Sequence, residues 1–402
     1  MSDAKSGRRT VLVGLVVLAV VAVIGVVVFT RGGSSSESVQ KAGSIVSSSP
    51  ISTAPAGTMG WRVVYQTTTA SGVSAESSGT VYVPTTPAPA GGRFVVAWAH
   101  PTLGMGQDCT PSQASDPTTA IPGFAQMMAN GWVVASTDYV GLGTDGVLPY
   151  LISNGEAPNV IDAVRAARNL PDTDAGSVYA VWGHSQGGHA SLATGDEANS
   201  YAPELQLVGV AAAAPAAELA SLVQLQWQSY VSWVIGSEVI NTWPQFYPSL
   251  SAAQVATTAA QQNATAVGAA CITSNPAALL AQFGPVLAQP FFSVDPATVP
   301  NWRAELDVNT PTPETGVPVF VAQGQLDTVV LPSTTALLQQ RWCASDASLT
   351  VDWYPSADHF SITAASAPSA MTWIGQRFAG QSAGNTCNQA PPVAPATNPP
   401  PA

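Results

Sequence analysis

Charge is scarce in this sequence. Only 9% of the 402 residues are charged, whereas 46% are hydrophobic, and such a composition argues against disorder over most of the chain. The 12 basic residues are outnumbered by 24 acidic ones, which gives a formal net charge of −12. A nucleic-acid-binding protein needs clustered basic residues, so this composition argues against that class of function.

Cysteine and histidine are also rare, with four of each. No two cysteines form a C-x-x-C pair, which argues against a zinc or redox motif. An even number of cysteines in an exported protein is typical of disulfides, and four cysteines allow three connectivities. The alternative is four buried free thiols.

The amino-terminal region indicates export. Residues 11–29 contain no charge, and three basic residues precede them. A bilayer span needs about 20 apolar residues, whereas the apolar core of a signal peptide has about 7 to 15. No small-residue cleavage site follows Phe29. We therefore interpret residues 1–31 as a cytoplasmic stub and transmembrane signal anchor, with a cleaved signal peptide as the alternative. In both cases the remainder lies outside the cytoplasm.

Composition divides the rest of the chain into three parts. Residues 32–58 are rich in Ser, Gly, Ala and Pro and are predicted to form a flexible linker. Residues 388–402 are Pro-rich and are predicted to be a disordered tail. The folded domain is then expected over residues 59–387.

Strand-like apolar runs alternate with helical patterns within this domain. Such alternation predicts an α/β fold with a mostly parallel sheet and helices on both faces. An antiparallel pair at 60–69 and 79–83 is expected to open the sheet. Further strands are predicted at 93–99, 132–137, 177–182, 206–213, 317–322 and 349–354, and helices at 121–130, 156–170 and 364–378. Residues of about 220–312 lack strand alternation and are predicted to form an inserted helical cap.

The segment Gly183-His184-Ser185-Gln186-Gly187 fits the pattern G-x-S-x-G directly after a predicted strand. In the α/β-hydrolase fold this pattern forms a sharp strand-to-helix turn that exposes a nucleophilic serine. Side chains two residues before and after the serine would collide, so both positions favour glycine. The alternative is a glycine-rich turn that happens to contain serine.

A nucleophilic serine needs a base, and the base needs an acid that orients it. In this fold the chain order is serine, then acid, then histidine. Only His359 follows both Ser185 and a later predicted strand, so we predict it as the base, a surface-loop histidine being the alternative. The other histidines are His100, His184 and His189.

The orienting acid is expected after the strand at 317–322, where Asp327 follows. Asp358 is a rival, but as the sequence neighbour of His359 it cannot easily reach the Nδ1 atom of that ring. Asp138 precedes the nucleophile and has the wrong order. We therefore predict Asp327.

The oxyanion hole is expected to use the backbone N–H of Gln186 and one from the loop after strand 93–99. That loop begins with His100 and Pro101, and proline has no N–H, so Thr102 is the predicted second donor. His100 either orients this loop or is a hydrogen-bonded core histidine. His184 is expected to pack beside the turn, and His189 has no assigned role.

Several segments occur in an order that resembles the secretory lipase family, the group of the yeast lipase A type within the α/β hydrolases. The resemblance covers residues of about 60–380. Its motifs are WAHPTLG (98–104), CTPS (109–112), TDYVGLGT (137–144), PYL (149–151), DAVRAAR (162–168) and GHSQGG (183–188).

The resemblance implies an extracellular esterase or lipase with a Ser-Asp-His triad and a helical cap over the pocket. These roles correspond to Ser185, Asp327 and His359. It also implies two disulfides, Cys109–Cys271 and Cys343–Cys387. Related sequences commonly have His-Gly-Thr where this one has His-Pro-Thr at residues 100–102.

The predicted cap is rich in aromatic residues, which either line an acyl pocket or form the core of the cap itself. Arg303 is the only basic residue of the cap, so a strongly anionic substrate is disfavoured. The aromatic residues are Trp227, Tyr230, Trp233, Trp243, Phe246, Tyr247, Phe283, Phe291 and Phe292.

The sequence therefore predicts an exported serine esterase or lipase that hydrolyses acyl esters through an acyl-enzyme on Ser185. No cofactor or metal is needed for this chemistry, and we expect a monomer. An acyltransferase with the same triad, which passes the acyl group to a sugar or lipid alcohol, is the first alternative. A non-catalytic surface-binding protein on a hydrolase scaffold is the second.

Overall fold

A computed structural model describes residues 41–272, 276–312 and 316–397. The described residues form one nine-stranded sheet in the order β1-β2-β3-β5-β4-β6-β7-β8-β9. The strands are β1 (Ile45–Pro50), β2 (Thr58–Thr68), β3 (Ser74–Pro84), β4 (Arg93–Ala99), β5 (Val133–Thr137), β6 (Ala175–His184), β7 (Gln206–Ala213), β8 (Val319–Gly324) and β9 (Leu349–Tyr354). The first three strands are antiparallel, and the sheet is parallel from β5 to β9. The predicted fold class is confirmed.

Helices cover both faces of the sheet, which explains why the central strands are apolar on both sides. Gly209 of β7 faces the ring of Trp373, whereas its neighbour Val210 faces Gly195 on another helix. Successive residues of a strand point to opposite faces, so these two helices lie on opposite sides. The helices are α1 (Phe124–Ala129), α2 (Ser153–Asn169), α3 (Gln186–Tyr201), α4 (Leu219–Gln226), α5 (Val231–Phe246), α6 (Thr258–Ala269), α7 (Pro276–Leu287), α8 (Pro300–Val308), α9 (Pro332–Ala344) and α10 (Ile362–Phe378).

The helices α4 to α8 all lie between β7 and β8, and we call residues 219–308 the helical segment. An isolated bridge between Ala256 and Phe292 interrupts its helical character. The Cys109–Cys271 disulfide connects this segment to the loop after β4, with 5.1 Å between the Cα atoms. The insertion is thus covalently attached near the carboxyl end of a central strand.

The predicted linker at 32–58 is wrong for residues 45–50, which form β1. This strand pairs with β2, from Ile45 opposite Tyr65 to Pro50 opposite Trp61. Most of its side chains are exposed, so backbone hydrogen bonds rather than apolar burial hold it. Residues 1–40, which include the predicted anchor, lie outside the described residues. No helix of the described part is both long and apolar enough to cross a membrane.

The predicted disordered tail is wrong for residues 388–397, which lie against the domain. The carbonyl of Gln389 accepts a hydrogen bond from Gln339 at 2.9 Å, and the N–H of Ala396 donates to Ser333 at 2.8 Å. The Cys343–Cys387 disulfide fixes the start of this segment. Proline already restricts the backbone of the unfolded chain, so less conformational entropy is lost when these contacts order the segment.

Removal of the Cys343–Cys387 disulfide by Cys343→Ser with Cys387→Ser should lower the free energy of unfolding by about 2–4 kcal/mol. The bond closes a loop whose ends are 44 residues apart, and opening it restores entropy to the unfolded chain. Denaturant unfolding of both proteins measures the change. An unchanged midpoint and slope would contradict the expectation.

Candidate active site

Ser185 occupies a strained turn between β6 and α3. Its backbone angles are φ 56° and ψ −115°, which a residue with a side chain rarely adopts. Its N–H donates to the carbonyl of Ala213 at 3.0 Å, and its carbonyl accepts from His189 at 3.0 Å and Ala216 at 3.2 Å. These bonds hold the strained conformation from both sides of the turn.

The glycines that flank Ser185 are required by close backbone contacts. A Cβ atom on Gly183 would lie 2.1 Å from the carbonyl oxygen of Gly187. A Cβ atom on Gly187 would lie 1.9 Å from the carbonyl oxygen of Ala99 at the end of β4. Both distances are far below van der Waals contact, so the predicted collision at both positions is confirmed.

Gly187→Ala should destabilise the protein by more than about 3 kcal/mol, the upper end of ordinary overpacking costs, because the contact is with backbone. Gly195→Ala on the same helix is the matched control, since the nearest atom to its Cβ would be a Val210 methyl at 3.4 Å. Alanine is the better helix former, so this control should be neutral or slightly stabilising. Thermal and denaturant unfolding compare the two. Equal stability of the two variants would contradict the steric argument.

The three residues predicted as a triad meet at the carboxyl edge of the sheet. His359 Nε2 lies 3.0 Å from Ser185 Oγ, and His359 Nδ1 lies 2.8 Å from Asp327 Oδ2. The three residues are 5%, 5% and 3% exposed in the order Ser185, His359, Asp327. Ser185 follows β6, Asp327 follows β8 and His359 follows β9. Because parallel strands end at the same edge of a sheet, the three residues come together there. This is the hydrogen-bond pattern of an activated nucleophile.

Asp327 is held by backbone donors as well as by His359. Its Oδ1 atom accepts from the N–H groups of Val329 at 2.8 Å and Val330 at 2.9 Å. The side chain of Gln323 donates to Oδ2 at 3.3 Å and accepts from Thr335 at 2.6 Å. These donors compensate the buried carboxylate and leave Oδ2 directed at the imidazole.

The two rival aspartates have other contacts. Asp358 is exposed, and its Oδ1 accepts from the backbone of Phe360 at 3.1 Å and of Ser361 at 2.8 Å. The side-chain hydrogen bond from Ser361 is the main reason that the pKa of Asp358 is lowered. Asp138 is buried, and it accepts from Ser78 at 2.6 Å and from the N–H of Ser112 at 3.0 Å. Neither contact involves His359.

His184 orients the backbone of His359. Its Nε2 atom lies 2.9 Å from the His359 carbonyl, and the two ring centroids are 4.8 Å apart. Burial, and then the nearby His359 ring, lower the pKa of His184 well below its usual value. A neutral ring that donates from Nε2 fits this contact. The sequence predicted that His184 packs beside the turn, but not this hydrogen bond.

The two predicted oxyanion donors lie in different parts of the chain: Gln186 directly follows Ser185, and Thr102 lies in the loop after β4. Gln186 is buried and begins α3, whose amino-terminal dipole favours negative charge. The hydroxyl of Thr102 lies 2.9 Å from that of Tyr150. His100 is buried, with its ring nitrogens 2.7 Å from the Pro101 carbonyl and 3.2 Å from the Asp138 carbonyl. It thus makes contacts of both predicted kinds, one within its loop and one to the core.

A buried acid beside the turn was missed by the sequence interpretation. Glu156 and His189 are both completely buried, with Glu156 Oε2 2.7 Å from His189 Nδ1. The other carboxylate oxygen accepts from the side chain of Gln186 at 2.8 Å. Glu156 stands one turn before Val160 on the apolar stripe of α2, a position that could have indicated a buried acid. A buried pair of titratable side chains therefore contacts the residue that directly follows Ser185.

An apolar pocket opens at Ser185. Its cavity volume is about 70 Å³, so the pocket is narrow. Aliphatic and aromatic side chains form most of the wall, and none of the described residues that line it is charged. The helical segment supplies much of the wall through Leu222, Val223, Ile235, Val239, Trp302 and Leu306.

The aromatic residues of the predicted cap divide between the pocket and the segment's own core. Trp227, Trp243 and Phe292 line the pocket, together with Trp302, which the sequence interpretation did not name. Trp233 and Phe291 pack edge to face with centroids 4.9 Å apart and are not in the pocket wall. Tyr230 is 60% exposed. Both interpretations of these residues are therefore correct in part.

Glu238 on α5 is a second buried acid near the site. No residue of the described part makes a hydrogen bond of good geometry to its carboxyl oxygens. Burial raises the pKa of Glu238 well above its usual value, and Glu156 nearby raises it further. The backbone N–H of Gly104 opposes this shift but is the weaker effect. The carboxyl group is therefore expected to be neutral in the folded protein.

Glu238→Gln should flatten the dependence of stability on pH. Above the ordinary glutamate pKa, the folded protein keeps a proton that the unfolded chain has lost. The free energy of unfolding therefore falls with rising pH, by at most about 1.4 kcal/mol per unit for one group. Glutamine removes this fall, so the variant should match the wild type near pH 4 and exceed it increasingly as the pH rises from there to the folded-state pKa of Glu238. Thermal unfolding of both proteins across this pH range tests the prediction. If the stabilities of the two proteins changed with pH in parallel, the prediction would be contradicted.

The parallel sheet, the strained serine turn and the order Ser185, Asp327, His359 along the chain define the α/β-hydrolase fold. Residues 118–386 match the secretory lipase family, and the chain belongs to this family. The resemblance inferred from sequence motifs is thereby confirmed.

Solved structures of lipases and esterases share this fold. Candida antarctica lipase A in its closed state has a TM-score of 0.70 and 19% identity, over 90% of this chain and 88% of that chain. A mutant of the rice cell wall degrading esterase LipA from Xanthomonas oryzae has a TM-score of 0.67 and 20% identity, over 85% of this chain and 100% of that chain. At these identities the likeness concerns the fold alone.

Two curated relatives differ in what their names say of activity. A protein of Mycobacterium tuberculosis named as a probable inactive lipase is 24% identical over 347 residues, which are 80% of this chain and 74% of that protein. Lipase A of Moesziomyces aphidis is 28% identical over 162 residues, which are 37% of this chain and 33% of that protein. Activity is therefore the property that experiments on this chain must establish first.

Proposed function

We propose that this protein is a serine esterase or lipase that hydrolyses acyl esters through an acyl-enzyme on Ser185. The observation that carries the proposal is the hydrogen-bonded chain from Ser185 Oγ through His359 to Asp327, at 3.0 and 2.8 Å. These three hydrogen-bonded side chains lie beside an apolar pocket, and Ser185 is part of the pocket wall. Membership of the secretory lipase family supports the same class of reaction.

The acylation step follows from this geometry. His359 Nε2 takes the proton of Ser185 as its Oγ atom attacks the ester carbonyl, and the carbonyl oxygen becomes an oxyanion. Asp327 accepts from Nδ1, which fixes the tautomer and stabilises the imidazolium. The tetrahedral intermediate then loses the alcohol, which takes the proton from His359. Water repeats the sequence on the acyl-enzyme and releases the acid.

The oxyanion needs donors that are already in place before the reaction. The backbone N–H of Gln186 at the start of α3 is the first proposed donor, and the helix dipole supports negative charge there. The N–H of Thr102 is the second. The hydrogen bond between the Thr102 and Tyr150 hydroxyls supports this assignment, because it ties the donor loop to the pocket wall.

The pocket wall favours a neutral, apolar acyl group. Within the described part of the chain, no residue of the wall is charged, and Arg303 pairs with Asp307 at 2.9 Å rather than lying in the wall. We propose that the helical segment acts as a cap that binds the acyl chain, since it supplies much of the wall. Motion of such a segment would control access to Ser185.

We place the catalytic domain outside the cytoplasm. The two disulfides support this location because such bonds persist in oxidising compartments. Residues 11–29 are uncharged and long enough to span a bilayer, which supports a single-pass anchor. Cleavage after this segment would instead release a secreted enzyme.

Hydrolysis of chromogenic esters from acetyl to palmitoyl by the full chain tests the proposal. The wild type should hydrolyse them, and Ser185→Ala should not. Asp327→Asn should lower kcat by about 10⁴-fold because the imidazole loses its correct tautomer. Asp358→Asn is the matched control, since Asp358 adjoins His359 in sequence but does not contact its ring. This control should keep wild-type activity.

Folded wild-type protein that acts on none of these esters would refute simple ester hydrolysis. Binding without catalysis would then be the leading alternative, in line with the name of the Mycobacterium tuberculosis relative. Diversion of product from free acid to a new ester on addition of an alcohol would instead indicate acyl transfer. Equal loss of activity in Asp327→Asn and Asp358→Asn would contradict the assignment of the acid.

A further inference from the structure

The side chain of Glu156 contacts two residues of the pocket wall, Leu151 and Gln186. Its Oε1 atom accepts from the N–H of Leu151 at 3.0 Å and from the side-chain amide of Gln186 at 2.8 Å. Its Oε2 atom contacts His189 Nδ1 at 2.7 Å. The Glu156 and His189 side chains are completely buried, so solvent does not weaken these interactions.

Each of the two contacts of Oε1 leads to one of the proposed oxyanion donors. Gln186 is itself the first donor. Leu151 follows Tyr150, whose hydroxyl lies 2.9 Å from that of Thr102, the second donor. Leu151 has φ 52°, a left-handed conformation that a side-chain-bearing residue adopts only when its surroundings hold it. The bond to Glu156 is a direct constraint on that residue.

His189 is the second polar partner of the Glu156 carboxyl group. Its Nδ1 atom lies 2.7 Å from Glu156 Oε2, and its Nε2 atom lies 2.8 Å from the carbonyl of Asn309. The two contacts fix the orientation of the ring and satisfy the buried carboxyl group. Ser153 Oγ is 3.4 Å from the same nitrogen, which gives these residues the composition of a second triad. Because Nε2 donates to a carbonyl, His189 cannot act as a base toward Ser153.

We propose that Glu156 is a positioning residue that holds the two oxyanion donors in register across Ser185. The inference rests on the proposed function. A fixed carboxylate shared by Leu151 and Gln186 sets the distance between the loop that carries Tyr150 and the start of α3. An oxyanion hole stabilises charge only when its donors are already in place, so loss of this tie should weaken the transition state more than substrate binding.

A purely structural role for Glu156, at the beginning of α2, would give a different result. Loss of a helix-end contact lowers stability, but it does not selectively lower the affinity for an oxyanion. The experiment must therefore measure kcat and KM separately, together with binding of a compound that forms an oxyanion on Ser185. An alkyl trifluoromethyl ketone is such a compound: Ser185 Oγ bonds to the ketone carbon, the proton moves to His359, and the carbonyl oxygen becomes the anion.

The experiment compares Glu156→Leu and Glu156→Gln in the full chain, with a chromogenic butyrate ester. Glu156→Leu should lower kcat by about 100-fold, the effect of an error of about 1 Å in a catalytic group, with little change in KM. The affinity for the trifluoromethyl ketone should fall by the same factor as kcat/KM. The affinity for the corresponding secondary alcohol, which fills the pocket without an oxyanion, should not change.

Glu156→Gln should retain most of the activity. Its amide oxygen can accept from both Leu151 and Gln186, and its amide nitrogen can donate to Nδ1 of His189. Asp162→Asn is the matched control, because Asp162 is a buried carboxylate on the same helix that pairs with Arg165 at 2.8 Å and Tyr201 at 2.7 Å. This control should change stability without changing kcat.

An active wild type with an unchanged kcat in folded Glu156→Leu would overturn the inference and leave the proposed function intact. A rise in KM with unchanged kcat would overturn it too. If Glu156→Leu does not fold, the Gln186→Leu variant tests the inference instead. This substitution removes the side-chain hydrogen bond to Glu156 but keeps the backbone N–H of residue 186. A lower kcat with the same KM supports the inference, and a wild-type kcat refutes it. A wild type that neither hydrolyses esters nor binds the ketone refutes the proposed function and this inference together.

Discussion

The backbone of Ser185 imposes the constraint on which the rest of the site depends. A residue with a side chain adopts φ 56° and ψ −115° at a cost of about 1–3 kcal/mol, so the surroundings must enforce it. The N–H of Ser185 donates to the carbonyl of Ala213 in β7, and its carbonyl accepts from His189 in α3. Close backbone carbonyls leave no room for side chains at Gly183 and Gly187. The result is a hydroxyl that lies at the end of a helix axis and above the sheet edge, where residues from other strands can reach it.

The parallel arrangement of the sheet then determines what surrounds Ser185. Asp327 and His359 follow β8 and β9, and the loop with Thr102 follows β4, so all three come from the carboxyl edge. Buried groups in turn fix these residues. His184 contacts the carbonyl of His359, and Gln323 contacts the carboxylate of Asp327. The site is thus part of the core, whereas its pocket wall comes largely from the helical segment.

The sequence predicted those features that depend on local pattern and chain order. Alternating strands and helices gave the fold, and the order of Ser185, Asp327 and His359 identified residues that the structure brings together. Prediction from sequence failed for features that depend on backbone pairing or on contacts between residues far apart in the chain. Strand β1 is polar and is held by its pairing with β2, and residues 388–397 are ordered by contacts with α9. The pair of Glu156 and His189 joins residues 33 positions apart, and His189 also contacts the carbonyl of Asn309, which is 120 residues away along the chain.

The central claim is that Ser185 is an activated nucleophile, and covalent labelling tests it most directly. An alkyl fluorophosphonate probe, which reacts with activated serines and needs no knowledge of the natural ester, would be applied to the full chain, followed by mass spectrometry of its peptides. We predict a single adduct on Ser185, formed slowly or not at all in His359→Ala. The absence of an adduct on Ser185 in folded protein, or equal labelling of His359→Ala, would contradict the account.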